Sequence, residues 1–421
     1  MSLKTRRVLF YFFFLLFIII GPIAIIYSYG WNLNFIDGTI KIQKTGAIYV
    51  ETRPKEVNIK IDGKTIKDES GIIQEGTLID NIAPKKYKLQ ITKIGYKNWE
   101  KNLLVKPELV AEAINVMLIP EKIKEEKIAF KKLRGEEIVA QGQQDKFIIK
   151  NERTKNYYLY DKNNEDSALN INANLISLRK DFKNIVFHPF ESNKLIFETK
   201  NGIEIFNVPR LKIETVIEKT PSAWTIKNPN IYYILKNKEL RVFSLLTKTD
   251  SLITYLPEGI NPLNSNILKI ESSGEAIAMI NSLNDLIIID RQTPVKIAHN
   301  AELFALSPDA KKIAFSENGK IKIYFIKNWQ KNFYRKAGET ADLETEAFLN
   351  IKNIKWHNNS YHLFIEYGDD KNKSVDFMEI DERKPINKYN LLNGIRSFYY
   401  DSKNDLSYYT KDYAVYFFKI E

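Results

Sequence analysis

From about residue 137 onward the chain repeats one short pattern. Its clearest copy reads Leu306-Ser307-Pro308-Asp309-Ala310-Lys311-Lys312-Ile313-Ala314-Phe315-Ser316-Glu317-Asn318-Gly319-Lys320-Ile321-Lys322-Ile323-Tyr324. A hydrophobic anchor leads into a polar turn, an apolar strand, a second turn and a second strand. Six further copies are anchored at Ile138, Phe187, Trp224, Ile270, Trp356 and Tyr399, so neighbouring anchors stand 36 to 50 residues apart. The strands are rich in Ile, Phe, Tyr and Val and are bounded by Asn, Asp, Gly or Pro, which is strand and turn chemistry. One such hairpin buries too little to stand alone. Seven in a row, at about 40 residues each, predict a seven-bladed β-propeller over 137–421, in which stacking around an axis buries every face. An irregular β-sandwich is the competing arrangement.

In the copy quoted, Ser307-Pro308-Asp309 resembles the Ser-Pro-Asp-Gly repeat of the Tol-system and WD-like propeller families, with Ala310 in place of the glycine. His188-Pro189 and Ser272-Ser273-Gly274 are weaker echoes. The Gly-His and Trp-Asp pairs of WD repeats are absent. The resemblance implies a propeller-like class and no particular ligand.

The N-terminus carries the strongest hydropathy signal. Val8 to Tyr29 is a run of 22 residues without a charge, preceded by Lys4, Arg6 and Arg7, with no further Lys or Arg until Lys41. As a helix this run would extend roughly 33 Å, enough to cross a bilayer core. The charge asymmetry predicts a cytoplasmic stub at 1–7, a single membrane span at 8–29 and extracytoplasmic domains beyond it, in the cell membrane. A cleaved signal peptide ending near Ser28 or Gly30 is the alternative, and Arg6-Arg7 also fits a twin-arginine signal. The chain has no cysteine. Disulfides, Cys-based zinc sites, thiol nucleophiles and a thioether lipid anchor are therefore excluded.

Residues 46–119 read as a separate small domain. Val57, Ile59 and Ile61 alternate with polar residues before Asp62-Gly63, and Tyr87-Lys88-Leu89-Gln90-Ile91 alternates again. Strict period two with polar partners predicts sheets covered on one side, with Asp-Gly closing a hairpin. Gly46-Ala47-Ile48-Tyr49-Val50, Arg53-Pro54-Lys55-Glu56-Val57, Ile61-Asp62-Gly63 and Tyr87 through Gly95-Tyr96 together resemble the PEGA domain family of extracytoplasmic β-sandwich modules. Pro54-Lys55-Glu56-Val57 and Thr77-Leu78 depart from that family's pattern. The resemblance implies a spacer or adhesion role. Residues 120–136 are charged and read as a linker, with one strand at Ile128-Ala129-Phe130 that helps close the ring.

Chemistry is sparse. His188, His299, His357 and His362 show no metal-ligand spacing, and structural roles are expected for them. Asp369-Asp370 and the acidic turn 161–166 lack the calcium-loop pattern. No nucleophile elbow, P-loop or dinucleotide glycine cluster occurs. No catalytic, cofactor or metal residue is expected. The net charge of +11 is not gathered into a patch, so nucleic acid is not an expected partner. One basic-aromatic run opens the longest insertion, 327–353. Its residues Lys327, Trp329, Lys331, Phe333, Tyr334, Arg335 and Lys336 are the candidate binding residues, against the plainer reading of a solvated loop with its aromatics packed down.

The expected fold is thus all-β with one N-terminal transmembrane helix, a small PEGA-like sandwich and a seven-bladed propeller. The expected function is that of a membrane-anchored binding or scaffold protein of the bacterial envelope, engaging a protein, peptide or glycan through one propeller face. An alternative is a propeller enzyme acting on envelope polysaccharide or peptide. Acidic residues lining the channel mouth would favour the enzyme. Oligomeric state is open.

Overall fold

The computed structural model describes every residue except 1–2, 29–30, 37–38, 72–73, 129, 131–132, 143–145, 163, 178–180, 261–264, 291–292, 344–347 and 421. From Glu125 to Phe418 the chain forms seven four-stranded antiparallel sheets, taken here as blades 1 to 7 in chain order. Their first strands are Glu137–Gln141, Lys183–Phe187, Ala223–Lys227, Ile267–Ser272, Leu303–Leu306, Ile351–Trp356 and Ser397–Asp401. Every sequence anchor falls on one of these strands. First strands of blades 1 and 2, 3 and 4, 4 and 5, and 5 and 6 lie against one another, as do those of blades 7 and 1. That is the ring of a β-propeller, with the first strands lining its channel. Second strands are buried almost throughout: Leu195–Phe197, Ile277–Ile280 and Leu363–Ile365 pack between blades. Each outer fourth strand, such as Asp250–Tyr255, is largely exposed, which is why the repeat shows only three strands clearly in sequence.

Blade 7 is completed from the other end of the repeat region. Glu125–Ile128 pairs antiparallel with Ala414–Phe418, bringing Ile128 opposite Val415 and Glu125 opposite Phe418. This strand lies within the segment that the sequence reads as a linker, two to three residues earlier than expected, and Ala129 falls outside the described residues. Its position closes the ring without leaving a free inner or outer edge at the seam.

The turn between first and second strands repeats its geometry. In blade 5, Ser307 N–H donates to Lys312 O at 2.9 Å and Ala310 N–H to Ser307 O at 2.9 Å. In blade 6, His357 N–H donates to His362 O at 2.9 Å and Ser360 N–H to His357 O at 3.0 Å. Ala310 has φ +57° and Ser360 φ +61°; the blade 4 turn, closed by Ser273 N–H to Ala276 O, is two residues shorter and has Gly274 at φ +96°. Ala310 therefore occupies a left-handed position where glycine is unstrained, at a cost of about 1 kcal/mol.

Residues 46–117 form a separate sandwich. One sheet places Gly46–Arg53 between antiparallel Thr77–Ile82 and parallel Val110–Met117; the other runs Lys64–Ile66, Asn58–Ile61, Lys86–Thr92, Trp99–Leu104. Ile48, Ile59, Leu89, Ile91 and Leu103 make its core at or near zero exposure. Asp62 and Gly63 both have positive φ, the hairpin turn expected from their sequence.

Ahead of the sandwich stand the hairpin Trp31–Ile36 with Thr39–Lys44 and the helix Leu3–Ser28. Among the described residues no helix is long and apolar enough to cross a membrane. The helix opens with Lys4, Arg6 and Arg7 and meets Gly21-Pro22 after the apolar run Val8–Ile20. Tyr29 of the expected span, and the side chains at 23 and 26–28, lie outside the described residues. The sequence expectation of a span is thus left without support here.

Val415 is wholly buried and Ile128 nearly so at the seam. Val415→Asp or Ile128→Asp should each cost more than about 4 kcal/mol, because an unpaired charge is buried where the ring is held shut. Ser251→Asp on an exposed outer strand should stay within about 0.5 kcal/mol of wild type. Urea denaturation of the three variants distinguishes a seam that holds the ring from one that merely decorates it.

Candidate binding face of the propeller

The turns between first and second strands all lie on one face of the ring. Two features meet there: the sandwich, which docks against blades 5 to 7, and a cavity at the mouth of the channel.

The basic-aromatic run is drawn into the first of these. Trp329 is 4 % exposed, and the Lys312 ammonium sits 3.5 Å from its ring centroid. Lys312 is itself fully buried, with Nζ donating to Asp309 Oδ2 at 2.7 Å, and burial pushes its pKa down to about 8. The tryptophan therefore roofs the lysine of the Ser-Pro-Asp turn, a desolvated cation–π contact. Phe333 packs edge-on to Phe325 in the same cluster. Arg335 donates to both oxygens of Glu382 at 2.6 Å. Lys327 pairs with Glu275 at 2.7 Å. Lys331, Tyr334 and Lys336 are exposed. The candidate residues thus separate into a packed group and an exposed group.

The residue of this loop that reaches another module is Asn332, which the sequence reading passed over. Its Oδ1 accepts from Ile114 N–H at 2.8 Å and its Nδ2 donates to Ile114 O at 3.1 Å, so the side-chain amide extends the sandwich strand Val110–Met117. Arg383 adds a bond to Glu112 O at 2.9 Å.

Lys101 is the centre of the docking. It is fully buried and donates to Glu379, whose other carboxylate oxygen accepts from Trp99 Nε1 at 2.9 Å. The same ammonium reaches the carbonyls of Asp381 at 3.2 Å, Arg383 at 2.8 Å and Pro385 at 2.8 Å. Asn387 donates twice to Glu379 at 2.7 Å. Burial raises the Glu379 pKa, and the nearby Lys101 opposes that rise. A buried pair is tolerable only with such full satisfaction of its donors and acceptors. Nothing in the linear sequence marks Lys101: it stands in an alternating strand at a position that would ordinarily be apolar. Below it, Met117 and Ile119 join Phe398 and Tyr400 in one hydrophobic cluster.

His362 occupies in blade 6 the place of Lys312 in blade 5. It is 4 % exposed, stacks on Phe377 with ring centroids 4.8 Å apart, and its pKa is held well below the ordinary value by burial and by His357 and Lys101. His357 contacts Asp405 at 3.0 Å, His188 is buried, and His299 contacts Asp285 at 2.7 Å. The four histidines form no metal cluster; among the described residues no such cluster occurs.

The cavity measures about 380 Å³ and is walled by the first strands of blades 3 to 7 and the turns that follow them. Trp356 and Tyr400 form part of its wall. Glu271 is the one carboxylate in the described lining. Its oxygens are taken by Lys269 at 2.8 Å and by Leu306 N–H at 2.9 Å. Burial pushes its pKa up, but Lys269 and Lys355 outweigh that and hold it low. The described lining offers no second acid to work with it.

No family model matches the chain, and no curated protein does. The PEGA resemblance thus gains no support beyond the sandwich itself. Solved structures do resemble it. A chain of a mitotic checkpoint complex is 11% identical, covering 72% of this chain and 95% of that one, with a TM-score of 0.44. The computationally designed protein Ika8 is 10% identical, covering 70% and 100%, with a TM-score of 0.42. The β-propeller domain of Cps50 (Swd1) from Myceliophteria thermophila is 10% identical, covering 71% and 100%, with a TM-score of 0.48. At these scores the propeller assignment rests on the strand order and closure described above.

Two measurements probe this face. Lys101→Met should cost about 3–5 kcal/mol in denaturant unfolding, and Lys101→Met with Glu379→Gln should recover part of it, since the second change removes the stranded charge. Additive losses would mean the two side chains act independently. For His362, the unfolded chain takes up a proton as pH falls below about 6.5 while the folded chain resists it. Stability should therefore fall on acidification by up to about 1.4 kcal/mol per pH unit. His362→Gln should make the decline between pH ~6.5 and ~5 shallower; an equally steep decline would assign it to other groups.

Proposed function

We propose that this chain is a membrane-tethered binding module of the cell envelope, in which the helix is the anchor, the sandwich a rigid spacer and the propeller mouth the face that engages a protein, peptide or glycan. The observation that carries the tether is the side-chain distribution on the helix. Val8 to Ile20 is apolar and every one of these side chains is exposed, Phe10 at 65 % and Phe17 at 73 % among them. A helix hydrophobic on all sides needs a non-aqueous surrounding. The basic residues before it favour a cytoplasmic N-terminus.

The spacer reading draws on the docking around Lys101, which leaves the sandwich little freedom against blade 6. It also agrees with the resemblance of the sandwich to PEGA modules. Binding rather than catalysis is favoured by the mouth, whose single described carboxylate is fully engaged. The exposed Lys331, Tyr334 and Lys336 stand on the same face, beside the docked sandwich, and belong to the rim of that surface.

Alkaline carbonate extraction should leave the full-length chain in the membrane pellet, and protease added to spheroplasts should degrade the part beyond about residue 31. Release into the supernatant would end the anchor reading. A photo-crosslinking residue at Tyr334 should capture an extracytoplasmic macromolecule, whereas one at Tyr255, on the exposed outer strand of blade 3, should not. Equal yields at both positions would end the assignment of the face.

A further inference from the structure

The charges around the cavity do not balance. Lys355 lies on the first strand of blade 6, Ile351–Trp356, and Lys227 on that of blade 3, Ala223–Lys227. Both line the cavity. Among the described residues neither ammonium has an ion pair or a hydrogen bond. The nearby carboxylates are already committed. Glu271 is held by Lys269 and Leu306, and Glu366 of blade 6 is 3.2 Å from Lys373. The described lining holds two lysines, Lys227 and Lys355, against the one carboxylate of Glu271, a surplus of one positive charge, and Lys269 already neutralises that carboxylate. Lys355 is exposed to the cavity; the crowding of the surrounding blades lowers its pKa, and Glu271 opposes that fall.

Glu271 is the one carboxylate of the described lining and is shared between Lys269 and Lys355, which leaves positive charge at the mouth without a partner of its own. The remaining wall is mildly apolar and hydroxylic: Leu306, Pro308 and Trp356 on one side, Thr225 and Ser402 on another. A space of about 380 Å³ suits a small molecule rather than a folded partner.

We propose that the channel mouth binds a compact organic anion, its charged group held by Lys355 and Lys227 and its body set against the hydroxyls and apolar wall. The proposal deepens the reading of the mouth as a binding face and rests on it. Lysine is a compact point charge without the planar fork of arginine, so carboxylate and phosphate are recognised alike. The anion would be either a carboxylate-bearing metabolite or glycan acid, or a phosphate ester.

The test is calorimetric titration of the full-length chain in a neutral detergent with citrate, glucose 6-phosphate, inorganic phosphate and, as the uncharged control, glucose. Saturable binding of an anion but not of glucose, weakening as salt rises, is the expected result. Lys355→Met and Lys227→Met should each weaken it at least about tenfold, and Lys355→Arg should retain most of it. Glu271→Gln, which keeps the cavity's shape and removes its negative charge, should tighten binding. This opposite sign keeps the test open even if a lysine variant folds poorly. Preference for citrate or for glucose 6-phosphate separates the two sources of charge. No saturable binding of any anion below about 10 mM, or wild-type affinity in Lys355→Met, would overturn the proposal. Such a failure leaves carbonate extraction and cross-linking at the rim unaffected, whereas their failure leaves anion binding measurable.

Discussion

The pairing of Glu125–Ile128 with Ala414–Phe418 is the constraint on which the rest of the molecule depends. Each blade is a hairpin-built sheet with two apolar faces, and neither face can be covered from within the blade. Only a neighbour on each side does so, and a linear row of seven would leave two faces bare. Joining strands nearly 290 residues apart removes both bare faces with one four-residue ladder. Tyr409 of the second strand in blade 7 reaches Glu125 directly, so the seam is tied by side chains as well as backbone. The loop-closure entropy of so distant a contact is set against the burial of two complete blade faces, and grows only slowly with separation.

The seam also places the sandwich. The chain enters the ring at Glu125, immediately after Met117–Ile119 have joined the packing between blades 6 and 7. Entry point and docking site are therefore one region, and the sandwich has few places to go. Lys101 then converts proximity into a fixed contact. Four acceptors surround its ammonium, three of them carbonyls of one loop, 381–385, on blade 6. A hydrophobic residue there would pack but would leave those carbonyls without a donor, so the charge specifies this loop conformation rather than adding net stability.

Much of the architecture is legible in sequence because it is periodic. All seven first strands contain their hydrophobic anchors, and the sandwich alternation at Tyr87–Ile91 and the Asp62-Gly63 turn appear where spacing placed them. The fourth strands were not legible, since an outer strand such as Asp250–Tyr255 is mostly exposed, sets Ile253 against the core and carries no apolar alternation. The closing strand was read three residues late because Glu125-Glu126-Lys127 looks like linker: its charges face solvent and only Ile128 is buried. The candidate site was legible least of all. Trp329 and Phe333 announced a surface but serve the packing around Lys312. The cavity lysines belong to strands in two blades far apart in sequence, and no local pattern could join Lys227 to Lys355.

The turn between first and second strands shows why ionisable residues in this ring need individual reading. Lys312 and His362 occupy the same place in adjacent blades and are equally sealed from water, yet each is accounted for: one by Asp309 and the Trp329 ring, the other by its neutrality against Phe377. Glu379 and Lys101 satisfy each other. Lys355 differs from these: it is exposed to the cavity, and the carboxylates near it already have other partners. The cavity wall beside it includes Tyr400, whose opposite surroundings include Met117 and Ile119 of the sandwich connection. A ligand seated there would touch a wall that Met117 and Ile119 pack against from behind. That bracing holds the mouth in one shape, so an anion meets a preorganised site and pays little to order it. Coupling between mouth and spacer would need a second arrangement of that wall, and the packing described here has one.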